Sequence, residues 1–243
     1  MFTGFTQDTI DFLWGVRFNN ERNWFLEHKA LYLECLYQPM TEFADELLIF
    51  LQEARPEAGL IRKVTRIYRD ARRLFGRGPY KDHLWLSVER PGGEDTGKPV
   101  FWFEVTPEGW NYGLGYWRAT PLTMAKLRNK IDRDPETMEK LTRRLKRDGE
   151  FVLQTEEYRR PKAAPPSEIL ASWYRAKTFA LYHEEPWTET LYSREIVARV
   201  EKGFRFLLPY FDYFQTVEAE PDPDTRESIK QKVSLEHTEE ENA

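Results

Sequence analysis

Basic residues are concentrated in one segment of the sequence, Arg62 to Lys81. The segment contains eight basic residues and a single acidic residue, so it carries a net charge of +7. The basic residues are Arg62, Lys63, Arg66, Arg69, Arg72, Arg73, Arg77 and Lys81. Guanidinium groups bind carboxylates and phosphates through paired hydrogen bonds and keep their charge at neutral pH. The segment therefore predicts a surface that faces an anion.

The end of this segment adds groups that can bind a ligand or transfer protons. Residues 79–83 supply a phenol, an amine and an imidazole, which are groups suited to acid–base chemistry or to anchoring. The turn at residues 76–78 contains two glycines and can add backbone N–H donors. We assign no catalytic residue. The candidate ligand-binding residues are Arg66, Arg69, Asp70, Arg72, Arg77, Tyr80, Lys81 and His83, with Asp70 as the group that orients the arginines.

A purely structural interpretation of the same residues is also open. Arg66, Arg69 and Asp70 can form a salt-bridge network that ties a strand to a helix, while the other arginines stay solvated. Residues 79–83 can equally form a turn before an edge strand with its polar side chains outward. In a strand, alternation would also divide the arginines between two faces, so they cannot all contact one ligand. The part from Arg69 to Lys81 is therefore the better candidate.

Aromatic residues in the predicted sheet offer a second candidate surface. Trp85, Trp102, Glu104 and either Tyr112 or Trp117 can pave one sheet face. Such a platform beside arginines would suit a nucleic-acid base, a sugar or a peptide. The alternative, which we favour, is that returning helices cover this face and the rings belong to the core.

Several functional classes lack their sequence signals. Cys35 is the only cysteine, which excludes an intrachain disulfide and a cysteine-based metal cluster. The four histidines show no metal-ligand spacing, and Gly76-x-Gly78 does not continue into a nucleotide-binding fingerprint. At about 3.3 Å per residue, His83 and Ser87 lie roughly 13 Å apart along a strand, too far for a nucleophile and its base. We therefore expect neither a metal nor another cofactor.

The overall composition is that of a chain that can bury a sizeable core. It has 243 residues, of which 40% are hydrophobic and 15% aromatic. The N-terminus has no signal-peptide pattern, and nowhere do about 18 apolar residues follow one another. Together with the single cysteine, this favours a cytoplasmic location without membrane contact.

Hydrophobic spacing predicts helices, then a sheet, then helices again. Thr6 is a candidate N-cap for a first helix to about Val16. Asn19 or Asn20 is a candidate N-cap for a second helix, which Pro39 breaks or bends. The other predictions are a third helix over 40–51, strands at 60–70, 83–89, 100–106 and 110–117, helices after Thr120 and Asp134, an extended piece at 151–154, and a last helix over 188–214. Helices on both sides of an antiparallel meander define the α+β class.

Acidic residues are concentrated at the C-terminal end. Residues 216–243 carry a net charge of −6, which leaves +1 for the rest of a chain whose total is −5. A proline-interrupted acidic stretch with few apolar residues cannot offset the entropy lost on ordering. We therefore predict a single α+β domain over 1–215 and a flexible acidic tail over 216–243.

The stretch from Arg69 to Lys81 resembles the signature of domain-of-unknown-function family 2461. Positions that match the family pattern are Arg69, Asp70, Arg72, Pro79, Tyr80 and Lys81, and Arg77 keeps a positive charge usually supplied by lysine. Similar elements are Asn19-Asn20, Trp24-Phe25, the stretch Gly113 to Pro121, and Lys177-Thr178-Phe179. The resemblance covers about residues 2–214.

Two positions depart from this family pattern. Arg73 stands where an aromatic residue is usual, and Gly76 stands where an acidic residue is usual. The sequence therefore lacks the carboxylate that an acid–base or metal-binding role at that position would need. The resemblance implies a fold and a shared motif, and it implies no activity, substrate or catalytic residue.

Three functions remain open from the sequence, and whether the protein is an enzyme is not decided. The leading hypothesis is binding of a small anionic or phosphate-bearing ligand by the Arg/Tyr/Lys cluster. A nucleic-acid-binding function would use the basic and aromatic sheet residues, although the almost neutral body speaks against it. A protein–protein interaction would use the exposed arginines and tryptophans, with a structural Arg/Asp network, and the oligomeric state is not predicted.

Overall fold

The computed structural model describes residues 1–92, 97–116, 119–160 and 164–223. The strands are β1 (Ile61–Val64), β2 (Leu84–Glu89), β3 (Val100–Val105), β4 (Gly109–Gly115), β5 (Val152–Glu157) and β6 (Ala176–Pro186). They form one antiparallel sheet in the order β1-β2-β3-β4-β6-β5, with helices before and after it in the chain. The predicted α+β class is confirmed. None of the described helices combines the length and apolar composition of a transmembrane segment.

The N-terminal part is helical, as predicted. Its elements are α1 (Gln7–Phe18), α2 (Arg22–Glu27), α3 (Lys29–Tyr32), a π-helical turn (Leu33–Tyr37) and α4 (Gln38–Ala54). Thr6 is the N-cap of α1, but the N-cap of α2 is Glu21 and neither predicted asparagine. Asn19 instead donates its Nδ2 hydrogen to the Gly15 carbonyl at 3.1 Å. The helical run continues through Pro39 because the π-helical turn precedes it and proline is tolerated at the start of α4.

The central strands bury one face against the N-terminal helices and the last helix of the chain. The buried side chains of β2 and β3 that alternate toward this face are Leu84, Leu86, Val88, Phe101, Phe103 and Val105. Phe43 of α4 packs on Phe103 with ring centroids 4.7 Å apart, and Phe204 packs on Phe101 at 4.9 Å. The predicted alternation is confirmed, and the opposite face of these strands is left for polar and aromatic side chains.

The first strand is shorter than predicted. β1 ends at Val64 instead of continuing to residue 70. Beyond it, an isolated antiparallel bridge joins Tyr68 to Tyr80, and Arg69 N donates to the Pro79 carbonyl at 2.8 Å. The two ends of the segment 69–81 therefore lie side by side just before β2 begins.

Helices return after β4. They are α5 (Pro121–Arg133), α6 (Pro135–Asp148), α7 (Ala171–Arg175) and α8 (Glu195–Gln215). Both predicted caps are confirmed: the Thr120 hydroxyl accepts from Thr123 N at 3.0 Å, and the Asp134 carboxylate accepts from Thr137 N at 3.2 Å. β6 was not predicted. α8 begins later than predicted because Glu189–Tyr192 forms a short 3₁₀ turn.

The chain divides into two compact units. The first contains Met1–Gly92, Val100–Gly115 and Leu181–Leu208, and the second contains Gly93–Pro99, Tyr116–Ala180 and Pro209–Ala243. The segment 62–81 belongs to the first unit. The prediction of a single domain over 1–215 is not tested by this division and stays a prediction.

The beginning of the predicted acidic tail is packed within the second unit. Val217 and Glu220 are buried, and the Glu220 carboxylate forms ion pairs with Lys130 and Arg133 of α5. These basic partners offset the cost of ordering residues that composition alone marks as flexible. Residues 224–243 lie outside the described residues, so the flexibility expected there stays a prediction.

Candidate functional site

An asparagine side chain joins the N-terminal helices to the segment 69–81. Asn20 accepts from Tyr80 N through Oδ1 and donates to the Tyr80 carbonyl through Nδ2, both at 2.9 Å. These are the two hydrogen bonds that a neighbouring strand would make. A Cβ atom at Gly78 would lie 2.2 Å from Asn20 Oδ1, so a glycine is needed there. We call this arrangement of Asn20, Gly78 and the Tyr80 backbone the asparagine latch.

Tyr80 is held in the core by its ring. Its side chain stacks on Phe25 with ring centroids 4.1 Å apart and contacts Tyr68 at 5.4 Å. Only 4% of the residue is exposed, and burial raises the pKa of its phenol. Tyr80 was predicted as a ligand contact, but the structure gives its ring an anchoring position and makes its backbone the part that organises the site.

The carboxylate of Asp82 holds two arginines, a role that the sequence did not predict. Arg17 Nε donates to Oδ2 at 2.6 Å, and Arg69 Nη2 donates to Oδ1 at 3.3 Å. Arg69 also donates through Nε to the Tyr80 carbonyl at 2.7 Å. Burial opposes ionisation of Asp82, but the hydrogen bond from Arg17, a backbone hydrogen bond and the nearby positive charge together outweigh it and hold the pKa of this carboxyl below its ordinary value. Asp82 therefore fixes both guanidinium groups in place.

A chain of polar side chains extends from Asp82 across the sheet. His83 Nδ1 lies 3.3 Å from Asp82 Oδ1, and His83 Nε2 lies 3.9 Å from Glu104 Oε1. Asn111 then donates to Glu104 at 2.8 Å, and the indole N–H of Trp102 donates to Asn111 at 2.9 Å. We call these five residues the polar chain. An imidazole between two carboxylates is an arrangement that can pass a proton.

Lys81 lies in a positively charged environment beside this chain. Its Nζ donates to the Arg66 carbonyl at 2.8 Å, and among the described residues it forms no ion pair. Burial, followed by the charges of Arg69 and Arg66, lowers the pKa of Lys81, and the carboxylate of Glu104 opposes this effect only in part. The Arg66 side chain is exposed. We call Lys81, Arg66 and Arg69 the Lys81 site.

The middle of the segment, residues 70–77, forms an exposed outer loop. Asp70 accepts from Arg72 Nη2 at 2.8 Å and from Arg72 Nε at 3.0 Å, and the Arg72 side chain is 87% exposed. Arg77 is exposed and contacts the Leu74 carbonyl at 3.4 Å. The predicted role of Asp70 in orienting Arg69 is not seen, because Arg69 has Asp82 as its acidic partner and Asp70 turns back to Arg72.

The predicted aromatic platform is only partly assembled. Trp85 and Trp102 lie on the sheet face away from the core, and both are half-buried. Tyr112 is fully buried opposite Phe103 and therefore belongs to the core face. Trp117 lies outside the described residues. The face thus combines two partly accessible indoles with the polar chain.

The structure brings together five of the eight predicted site residues. Those grouped around Asp82 or beside it are Arg66, Arg69, Tyr80, Lys81 and His83, whereas Asp70, Arg72 and Arg77 belong to the outer loop. Sequence reasoning missed Arg17, Asn20 and Asp82. The asparagine doublet was a signal because it recurs in the family pattern, but Arg17 gave none because its partners lie far along the chain.

Comparison with known proteins agrees with the resemblance seen in the signature. Among the described residues, no group of three or more His, Cys, Asp or Glu side chains is arranged to hold a metal ion. A search among curated proteins gives no match. The sequence model of the family described as "Conserved hypothetical protein (DUF2461)" matches residues 8–213, which include the asparagine latch, the Lys81 site and the polar chain. Since this match covers most of the chain, the protein belongs to the DUF2461 family.

Proposed function

We propose that this protein binds a small anionic ligand, of the phosphate or carboxylate type, at the Lys81 site. The observation that carries the proposal is a half-buried lysine in the field of the Arg69 and Arg66 charges, whose Nζ bonds a backbone carbonyl and forms no ion pair among the described residues. A buried or half-buried cation is costly without a counter-charge. An anion placed between Lys81 and Arg66 would supply it.

The neighbouring contacts support this assignment of roles. Asp82 is already engaged by Arg17 and Arg69, so its carboxylate is not free to neutralise Lys81. Arg69, fixed by Asp82 and by the Tyr80 carbonyl, contributes a positive charge that cannot swing away. In this proposal Lys81 and Arg66 contact the anion, Arg69 strengthens the field, and Tyr80 anchors the stretch of chain that presents Lys81.

The test compares thermal unfolding in the presence of inorganic phosphate, citrate and chloride at one ionic strength. We expect phosphate or citrate to raise the unfolding midpoint of the wild type, since a ligand that binds only the folded state stabilises it. Lys81→Gln and Arg66→Gln should each abolish this increase. Arg72→Gln is the matched control, because it removes an exposed arginine charge from the same segment and should leave the increase unchanged. An undiminished response in Lys81→Gln would reject the proposal.

The anion response should depend on pH through the charge of Lys81. Because the pKa of Lys81 is lowered, its ammonium loses its proton at a lower pH than an ordinary lysine. The phosphate-induced increase should therefore fall as pH rises toward and through this lowered pKa, before an exposed lysine would titrate. The bound anion should itself raise the pKa of Lys81, which lysine-selective NMR titration measures with and without phosphate.

Binding of single-stranded nucleic acid is a second proposed function, and one feature of the outer loop favours it. Phe75 is 82% exposed between the exposed Arg72 and Arg77, and exposed rings beside arginines suit stacking of unpaired bases. Fluorescence anisotropy with labelled oligonucleotides should then show binding that weakens steeply with salt and is lost in Phe75→Ala. Equal binding by wild type and Phe75→Ala would exclude this role.

A further inference from the structure

The amino group of Lys81 is held by a contact that does not require it to be charged. Its Nζ donates to the Arg66 carbonyl at 2.8 Å, and among the described residues it pairs with no carboxylate. A carbonyl oxygen accepts a hydrogen from a neutral amine as well as from an ammonium group, so the contact survives loss of the proton. Because Lys81 is only partly buried, a small reactant can reach its nitrogen.

The charges around Lys81 favour the neutral amine. Burial, followed by the guanidinium charges of Arg69 and Arg66, lowers the pKa of Lys81, and only the carboxylate of Glu104 opposes this effect. Arg69 cannot swing away, because Asp82 and a backbone carbonyl hold its guanidinium group. A lysine that is desolvated or lies beside another cation is the kind that attacks carbonyl compounds.

Groups that can exchange protons with a reacting amine lie close by. Glu104 is within electrostatic reach of Lys81, and its Oε1 lies 3.9 Å from His83 Nε2. Joining an amine to a carbonyl compound requires a group that takes protons from nitrogen and a group that delivers them to oxygen. A carboxylate beside an imidazole supplies both kinds of group.

We propose that Lys81 forms an imine with a small 2-oxo carboxylate, whose carboxylate group Arg66 binds. The Lys81 nitrogen adds to the carbonyl carbon, both hydrogens of the neutral amine pass to the carbonyl oxygen, and this oxygen leaves as water. A C=N bond remains, and no oxidant or reductant is consumed. Carbonyl and carboxylate are neighbours in such a compound, as the Lys81 amine and Arg66 are in the protein. Arg66 keeps the role that it has in the proposed function, on which the reaction therefore rests.

Reductive trapping of the full chain with pyruvate tests the reaction. Sodium cyanoborohydride converts an imine into a stable amine, and peptide mass spectrometry then measures the labelling of each lysine. Lys63 of β1 is the internal reference, since it belongs to the same basic segment but is paired with Glu89. We expect Lys81 to be labelled at least about tenfold faster than Lys63 at pH 7, the effect of one added charged contact. Equal rates at the two lysines would overturn the proposal.

Acetone is the matched reactant, because a methyl group replaces the carboxylate of pyruvate. The ratio of Lys81 labelling to Lys63 labelling should be at least about tenfold lower with acetone, which cannot use the charged contact of Arg66. Arg66→Gln should lower the ratio for pyruvate in the same way, whereas the exposed change Arg72→Gln should leave it unchanged. The same ratio for pyruvate and acetone would reject a 2-oxo carboxylate.

Phosphate and pH separate this reaction from simple anion binding. Stabilisation by phosphate needs the Lys81 ammonium and falls as pH rises through its lowered pKa, whereas labelling needs the neutral amine and should rise over the same range. Phosphate should also slow the labelling of Lys81 and not that of Lys63. A thermal response to phosphate without preferred labelling of Lys81 refutes the imine and leaves the proposed function intact. Preferred labelling of Lys81 without a thermal response instead refutes the anion site and the role of Arg66.

Discussion

The two parts of the segment 69–81 differ in how they are held, although both are rich in arginine. The inner part is Arg69 together with residues 78–81, and Asn20 and Asp82 from outside the segment hold it through contacts between residues distant in sequence. The outer loop is exposed, and its Asp70–Arg72 pair is local. Arg69 therefore uses its charge within the protein, whereas Arg72 leaves its charge in solvent. The number of basic residues in a segment thus overstates the charge that a ligand can meet.

We expect the largest difference between the two parts when an aromatic side chain of each is removed and the free energy of unfolding is measured. Tyr80→Ala should lower the free energy of unfolding by about 3–5 kcal/mol, because it empties a ring-sized space against Phe25. Phe75→Ala in the outer loop should change it by less than about 0.5 kcal/mol, as an exposed side chain loses little burial. Urea denaturation followed by circular dichroism measures both. Similar losses in the two variants would contradict the division into inner part and outer loop.

Two glycines sharpen the comparison. Gly78→Ala should cost about 2–3 kcal/mol, because the added Cβ displaces Asn20 from its two hydrogen bonds. A Cβ atom at Gly76 would have no neighbour within 4 Å, but the backbone φ there is +79°. Gly76→Ala should therefore lower the free energy of unfolding by only about 1 kcal/mol, the cost of a left-handed backbone conformation for alanine.

Asn20→Gly provides the control for this steric explanation. Combined with Gly78→Ala, it should cost clearly less than the sum of the two single changes, since the clash is already removed. Additive costs would mean that the latch is not what restricts residue 78.

Asp82→Asn tests the ionic contacts of the inner part. We expect a loss of about 1–2 kcal/mol at pH 7, less than the 3–5 kcal/mol of a fully buried pair, because the Asp82 side chain is 20% exposed. Since the folded-state pKa of Asp82 is lowered, its contribution is complete above the unfolded pKa and is lost as pH falls through the folded pKa. The difference between wild type and variant should therefore shrink in acid. Asp45→Asn, at the more exposed pair with Arg62, is the control and should show a smaller effect.

The smallest effect is expected in the outer loop. Arg72→Gln removes one side of the exposed pair with Asp70 and should leave the unfolding midpoint unchanged within error, because water solvates both groups. Differential scanning calorimetry measures the unfolding midpoint, and low salt is used because it screens the ion pair least. A clear loss there would place the outer loop among the stabilising parts of the protein.

Elements set by local signals were predictable, and contacts set by distant partners were not. Thr120 and Asp134 precede prolines and cap the helices that follow, so the sequence alone locates both helix starts. β6 was not predicted from the sequence, because its buried residues do not alternate strictly and its end is acidic, so its hydrophobic pattern is weak.

The same distinction explains what sequence reasoning found of the candidate site. Basic residues between 66 and 81 are visible as a cluster, and Lys81 was named as a ligand contact from that cluster. Which carboxylate pairs with Arg69 depends on how the chain folds back before β2. The sequence suggested Asn20 as a helix cap, but the cap of α2 is Glu21. Side chains that bond across the fold leave no periodic trace in the sequence.

The asparagine latch also provides a built-in reporter of motion. The Tyr80 amide hydrogen is bound by the side chain of Asn20, which belongs to a different part of the chain. It can exchange with deuterium only when that side chain withdraws, so its exchange rate reports how often the contact between Asn20 and the Tyr80 backbone opens. A single backbone proton can thus time the opening of the asparagine latch beside Lys81.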